Sequence, residues 1–136
     1  MKKLGLLFCM LWLGGCSSLM SGSTDKGTPE EIVAERALQR YQAMMAGDYR
    51  KAYKFMTPGY RVLNSLEDFQ KSNIGVAQWG EVEIGRVICS ETDCRAGVSF
   101  EYRREGVTRR GTGPTGGAVR DVWNQIDGQW YFIRME

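Results

Sequence analysis

Histidine is absent from all 136 residues. That excludes the Ser-His-Asp and Cys-His arrangements that activate a nucleophile, and every mechanism with an imidazole base. Long apolar runs are absent too. The longest, residues 4–13, is ten residues interrupted only by Gly5, about half of what a bilayer-spanning helix needs. Nor is there an excess of either charge: 18 Lys and Arg face 16 Asp and Glu, which gives no electrostatic footprint for nucleic acid. Proline occurs only three times, so each one marks a specific point in the chain.

What is present begins with location. Lys2 and Lys3 precede the short apolar run, and small residues follow it, the pattern of an export signal. Leu13-Gly14-Gly15-Cys16 resembles the bacterial lipobox, in which the cysteine is lipidated and becomes the first mature residue. The resemblance implies a signal peptide over residues 1–15, a lipidated Cys16 and a membrane anchored through N-terminal lipid. Ser17, where the lipoprotein family carries Asp for inner-membrane retention, implies an outer membrane lipoprotein facing the periplasm. Without its two signal lysines the remaining chain carries 16 charges of each sign. Residues 16–27, small and polar, read as the lipidated end and a flexible tether. Residues 28–136 have the length of one domain.

Cys9 leaves with the signal and Cys16 takes lipid, so Cys89 and Cys94 remain, five apart. In an oxidising compartment such a pair reads as a disulfide. Two thiols without histidine fall short of a four-ligand zinc site. No metal or other cofactor is expected.

Thr28-Pro29-Glu30-Glu31 opens the domain with a capping box and a proline at the first helical position. Val33, Ala37, Tyr41 and Met44 then share one helical face. Gly47 ends this helix, Asp48 caps a second, and Pro58 is expected to stop it. Ser65 starts a third. Beyond Gln78 the period falls to two. Cys94, Ala96, Val98, Phe100 and Tyr102 alternate with polar or small residues, and the strand before them ends at Cys89. Pairing Cys89 with Cys94 across the hairpin aligns Val87 with Ala96. It also leaves Val82 and Ile84 on the wrong face unless an extra residue intervenes, so a bulge is expected near Gly85. Residues 111–117, glycine-rich, read as a loop. Asp127-Gly128 signals a tight hairpin in which Ile126 pairs with Gln129. That register puts Val119, Trp123, Trp130 and Phe132 on one face, with Asp121 opposite Arg134. Val122, Ile126, Tyr131, Ile133 and Met135 lie on the other.

Helices followed by a bulged antiparallel sheet, closing on the hairpin around Asp127-Gly128-Gln129-Trp130-Tyr131, resemble the nuclear transport factor 2-like fold. The resemblance covers residues 28–136 and implies an α+β domain whose N-terminal helices pack on a curved, bulged antiparallel sheet, together forming a cone. Fold does not give function.

For chemistry, Asp121 is the one weak catalytic candidate. Burial among Trp123 and Phe132 would raise its pKa toward that of a working base, whereas a cross-strand pair with Arg134 would make it structural. Glu83 and Glu101 read as solvated strand positions. Tyr41, Tyr53, Tyr60 and Tyr102 are pocket donors or, more simply, core residues. The glycine-rich loop lacks the Gly-Lys-Ser/Thr ending of a phosphate-binding loop. Arg103, Arg104, Arg109 and Arg110 cluster around a hairpin tip and could meet an anionic or acidic partner, or stand as solvated charges. Trp123, Trp130 and Phe132 suggest an interface with a second copy or another envelope protein if the sheet leaves them uncovered. The leading expectation is a non-catalytic, lipid-anchored envelope protein that binds a partner or serves structurally. A small-molecule carrier using the cone pocket is the alternative, and an isomerase- or lyase-like enzyme stands third.

Overall fold

The computed structural model describes residues 27–102 and 116–134. The signal segment, Cys16, the tether up to residue 26, and the arginines at 103, 104, 109 and 110 lie outside the described residues.

Helix α1, Pro29–Met45, begins as the capping box requires. Glu31 donates its backbone N–H to Thr28 Oγ1 at 3.3 Å, and Thr28 N–H donates to the Glu31 carboxylate at 3.0 Å. Gly47 follows its end at φ +76°, a left-handed conformation that glycine adopts without strain. Asp48 caps α2, Tyr49–Tyr53. Pro58 does not stop this helix, which ends before it. Thr57 instead caps a further helix, α3, Pro58–Leu63, with Pro58 in its first turn. A proline that breaks a helix interior is preorganised for a helix start, and Thr57 decides between the two. Ser65 and Asp68 form a second capping box at α4, Leu66–Asn73, and a 3-10 turn at Ile74–Gln78 leads into the sheet.

The sheet is a four-stranded antiparallel meander of β1, Trp79–Cys89, β2, Asp93–Tyr102, β3, Gly116–Ile126, and β4, Gln129–Ile133, in chain order. Cys89 and Cys94 are cross-strand partners and form a disulfide. Val87 pairs with Ala96, while Ile84 pairs with Val98, so one extra residue enters β1 at Gly85-Arg86. The expected bulge is present, and it keeps Val82 and Ile84 on the face that packs against the helices. A second shift lies between Trp79 and Glu81. Gly116 and Gly117, expected within a loop, are the first residues of β3 and pair with Glu101 and Phe100. The Gly117 Cα sits under the Phe100 ring: a Cβ there would stand 2.8 Å from Phe100 Cζ. Asp127 and Gly128 both have positive φ, 51° and 78°, as the two-residue hairpin turn demands, and Ile126 pairs with Gln129.

The alternation of β2 and β3 sends Cys94, Ala96, Val98, Asp121 and Trp123 toward the helices, all buried. One part of the core joins α1 and α2 to Phe69, Trp79 and Val98. The other joins Val33, Ala37 and Phe55 to Ala96, Trp123 and Trp130. The free side of β4 is closed by the segment after α2: Phe132 N–H donates to Phe55 O at 2.8 Å, and Met56 bridges to Phe132. The architecture is α+β, with N-terminal helices packed on a bulged antiparallel sheet.

Candidate functional site

The helix face read as apolar contains an interruption. Val33, Ala37 and Met44 are fully buried, and Arg40, at the intervening position of the same stripe, is only 3 % exposed. A charged residue at such a position must find compensation. The compensation comes from β3, where alternation turns Asp121 inward, also 3 % exposed.

The Tyr41 hydroxyl donates to Asp121 Oδ1 at 2.8 Å. Arg40 Nη1 stands 4.0 Å from Asp121 Oδ2, an ion pair but beyond hydrogen-bond distance. The guanidinium lies over the Phe132 ring, 3.7 Å from its centroid, and 5.2 Å from that of Tyr41, so cation–π attraction supports it. Tyr41 in turn stacks on Trp79, which stacks on Phe100. Arg40 Nε and Nη1, Asp121 Oδ2 and Trp123 Nε1 are fully buried and make no well-formed hydrogen bond to a described residue, yet the Trp123 N–H is near enough to Asp121 to favour its ionised form.

Burial pushes the Asp121 carboxyl above its ordinary value, against Arg40 and the Tyr41 hydroxyl, which favour the ionised form. Burial also lowers the Arg40 guanidinium, opposed by Tyr41 and Asp121, with nearby Arg134 pushing the same way as burial. The Tyr41 phenol is raised, first by burial and then by the Asp121 charge. Tyr41 therefore acts as a hydrogen-bond donor at neutral pH.

These groups line a cavity of about 270 Å³ between α1, α4 and the sheet. Its wall is apolar at Met44, Met56, Phe69, Val76 and Trp79, and Arg120 and Arg134 line it beside Arg40 and Asp121. A mostly apolar concavity with a few convergent polar groups is the usual form of a small-molecule site.

Two expectations are corrected here. Asp121 does sit in register with Arg134, one step beyond the Val122–Ile133 pair, but the cross-strand ion pair does not form. Arg134 Nη1 donates to Ser72 Oγ at 2.9 Å, and Asp121 engages α1 instead. The suggested interface at Trp123, Trp130 and Phe132 is core. Trp123 is 0 % and Trp130 2 % exposed, Phe55 and Phe132 meet the Trp123 ring edge-on, and Arg36 Nε donates to Trp130 O at 2.8 Å. Phe132 is half-buried beneath Arg40. This is the face that covers the helices; Val122, Ile126, Tyr131 and Ile133 on the other face are half-buried. Among the tyrosines, Tyr41 alone joins the buried charges: Tyr53 donates to the backbone carbonyls of Arg61 and Asn64, and Tyr102 is exposed. Glu83 and Glu101 are solvated. Arg40 was missed, although its place in the Val33–Ala37–Met44 stripe marked it.

No protein-family model matches this chain, and no curated protein is similar to it. Solved structures are. A Sec-C motif-containing protein from Psychrobacter arcticus is 11 % identical with a TM-score of 0.59, over 97 % of this chain and 75 % of that one. RPA3114, a Sec-C motif-containing protein from Rhodopseudomonas palustris, is 18 % identical with a TM-score of 0.52, over 70 % of each chain. An NTF2-like transpeptidase from Campylobacter jejuni gives 10 % identity and a TM-score of 0.47, over 80 % of this chain and all of that one. The likeness is one of fold. At these identities the residues of the cavity are a matter for this chain alone.

Proposed function

We propose that this protein is a non-catalytic, lipid-anchored envelope protein whose cone-shaped domain, of the nuclear transport factor 2-like kind, binds a small polar molecule in the cavity beneath α1. The observation that carries this reading is the cavity of about 270 Å³ itself, where Arg40, Arg120, Asp121 and Arg134 meet an apolar wall of Met44, Phe69 and Trp79. The Leu13 to Cys16 pattern and an oxidised Cys89–Cys94 pair support an anchored, extracytoplasmic domain. Partner binding through Trp123 and Trp130 is the weaker reading, since both lie in the core. Asp121 as a base is the weaker reading, because its Oδ1 already accepts from the Tyr41 hydroxyl and its Oδ2 is buried 4.0 Å from Arg40, away from any substrate.

Native mass spectrometry on the mature chain, carrying Cys16→Ser and exported to the periplasm, tests the binding reading. A small molecule retained through purification supports it. A protein without one, which also shows no thermal shift across a panel of polar metabolites, overturns it. Radiolabelled palmitate incorporated by the native chain and lost in Cys16→Ser tests the anchor.

A further inference from the structure

Positive charge gathers at a second concavity. Arg36 of α1, Lys51 of α2, Lys54 just after it and Arg61 of α3 converge with Phe55, Gln129 and Tyr131 on a hollow of about 380 Å³. No carboxylate lines it, and it shares no residue with the cavity beneath α1. The carboxylates nearest along the chain are Glu35, Asp48 and Asp127. Glu35 accepts from Gln39, and Asp48 caps α2 through the Lys51 N–H. Among the described residues, none forms an ion pair with Lys51, Lys54 or Arg61. Like charges held this close repel, and a bound anion turns that repulsion into attraction.

The cluster is held in place. Arg36 Nε donates to Trp130 O at 2.8 Å, and its guanidinium lies 5.0 Å from the Phe55 ring centroid. The Arg61 guanidinium lies 6.0 Å from that of Tyr131. Arg61 Nε is buried, but its two terminal nitrogens reach the surface without a hydrogen-bond partner among the described residues. Lys51 and Lys54 are exposed. The Tyr131 phenol donates to the Gln129 amide oxygen at 3.0 Å, which leaves that amide its NH2. Ammonium, guanidinium and amide NH2 only donate, so the ligand has to accept. A carboxylate brings one charge to three cations that lack a partner. A phosphate monoester brings nearly two, with three acceptor oxygens.

We propose that this concavity binds a phosphate monoester, with Lys51, Lys54 and the terminal nitrogens of Arg61 meeting its oxygens. A small soluble phosphate and the headgroup of phosphatidic acid share this chemistry. The mature chain with Cys16→Ser, which has no lipid of its own to enter a vesicle, separates the two sources. Isothermal titration with inorganic phosphate and glycerol 3-phosphate, against acetate at equal ionic strength, reads the soluble one. Cosedimentation with phosphatidylcholine vesicles carrying phosphatidic acid, against phosphatidylglycerol at equal surface charge, reads the headgroup. A monoester should bind about tenfold tighter than its control in at least one assay, and that assay names the source. Lys51→Gln combined with Lys54→Gln, both at exposed positions, should weaken this binding about tenfold and leave the melting temperature unchanged. Binding no tighter than the control in both assays means charge attraction without a site, and overturns the proposal. So does an absence of binding in both, or binding that the double variant retains in full.

Discussion

Tyr41→Phe removes one oxygen from the centre of the molecule and nothing else. The ring stays, so its stack on Trp79, 5.4 Å between centroids, is kept and no cavity opens. What is lost is the 2.8 Å bond from the phenol to Asp121 Oδ1. The acceptor is a buried carboxylate, and hydrogen bonds to charged groups contribute about 1.5–3 kcal/mol. A loss of about 2 kcal/mol is expected at pH 7, which for a domain of this size lowers Tm by about 8–12 °C. Urea denaturation followed by Trp fluorescence at several pH values measures it. The pH dependence has a definite sign. Burial raises the Asp121 carboxyl in the folded state, so the native protein binds this proton more readily than the unfolded chain does. The contribution of that group to stability is greatest at acid pH and falls as pH rises through the folded value. The variant should therefore be most impaired at pH values where Asp121 is ionised without its donor, and recover toward wild type as acidification protonates the carboxyl. A loss below about 0.5 kcal/mol at neutral pH, where a charged hydrogen bond should give several times that, would refute the reasoning. So would an equal loss in an Asp121→Asn background, or a penalty that grows on acidification.

Further expectations concern the frame around the site. Trp130→Ala should lower stability by about 3–5 kcal/mol, seen as an early thermal transition by circular dichroism. A variant that melts normally and changes only its subunit count would contradict its place in the core. Cys94→Ser opens a small loop and should lower stability by about 2 kcal/mol, with dithiothreitol producing the same shift in wild type and none in the variant. Gly117→Ala should displace Phe100 from its stack on Trp79 and destabilise by about 1–3 kcal/mol, with altered Trp emission; unchanged emission would mean that the ring accommodates a methyl.

The fold was legible wherever a local signal had one structural solution. Strict alternation from Cys94 to Phe100, together with one paired cysteine, fixes the β1–β2 register and obliges the extra residue near Gly85. Asp127-Gly128 does the same for β3 and β4. Pro58 was illegible as a stop because the same ring that ends a helix also begins one, and only the preceding Thr57 separates the cases. The site was legible in half. Asp121 and Tyr41 stood out as titratable or phenolic groups among apolar neighbours. The partner of Asp121 did not, because register within a hairpin is local, while the contact with α1 joins residues eighty positions apart. Trp123 and Trp130 misled for a related reason: the hairpin places them on one face, but only the packed helices determine that this face is inside.

The two edges of the sheet end differently, and this bears on how copies of the chain behave when crowded together. One edge is occupied by the molecule itself, where Phe132 meets Phe55 and Met56. The other, β1, has no partner strand among the described residues, and an open edge of this kind is the template from which fibrils and misassembled dimers grow. Its two register shifts put the backbone out of step at Gly80 and again at Gly85-Arg86, and Glu81, Glu83 and Arg86 stand exposed along it. An incoming strand could match only the three or four residues between interruptions. The bulge that turns Val82 and Ile84 into the core thus also guards against aggregation, and straightening it would remove both protections at once.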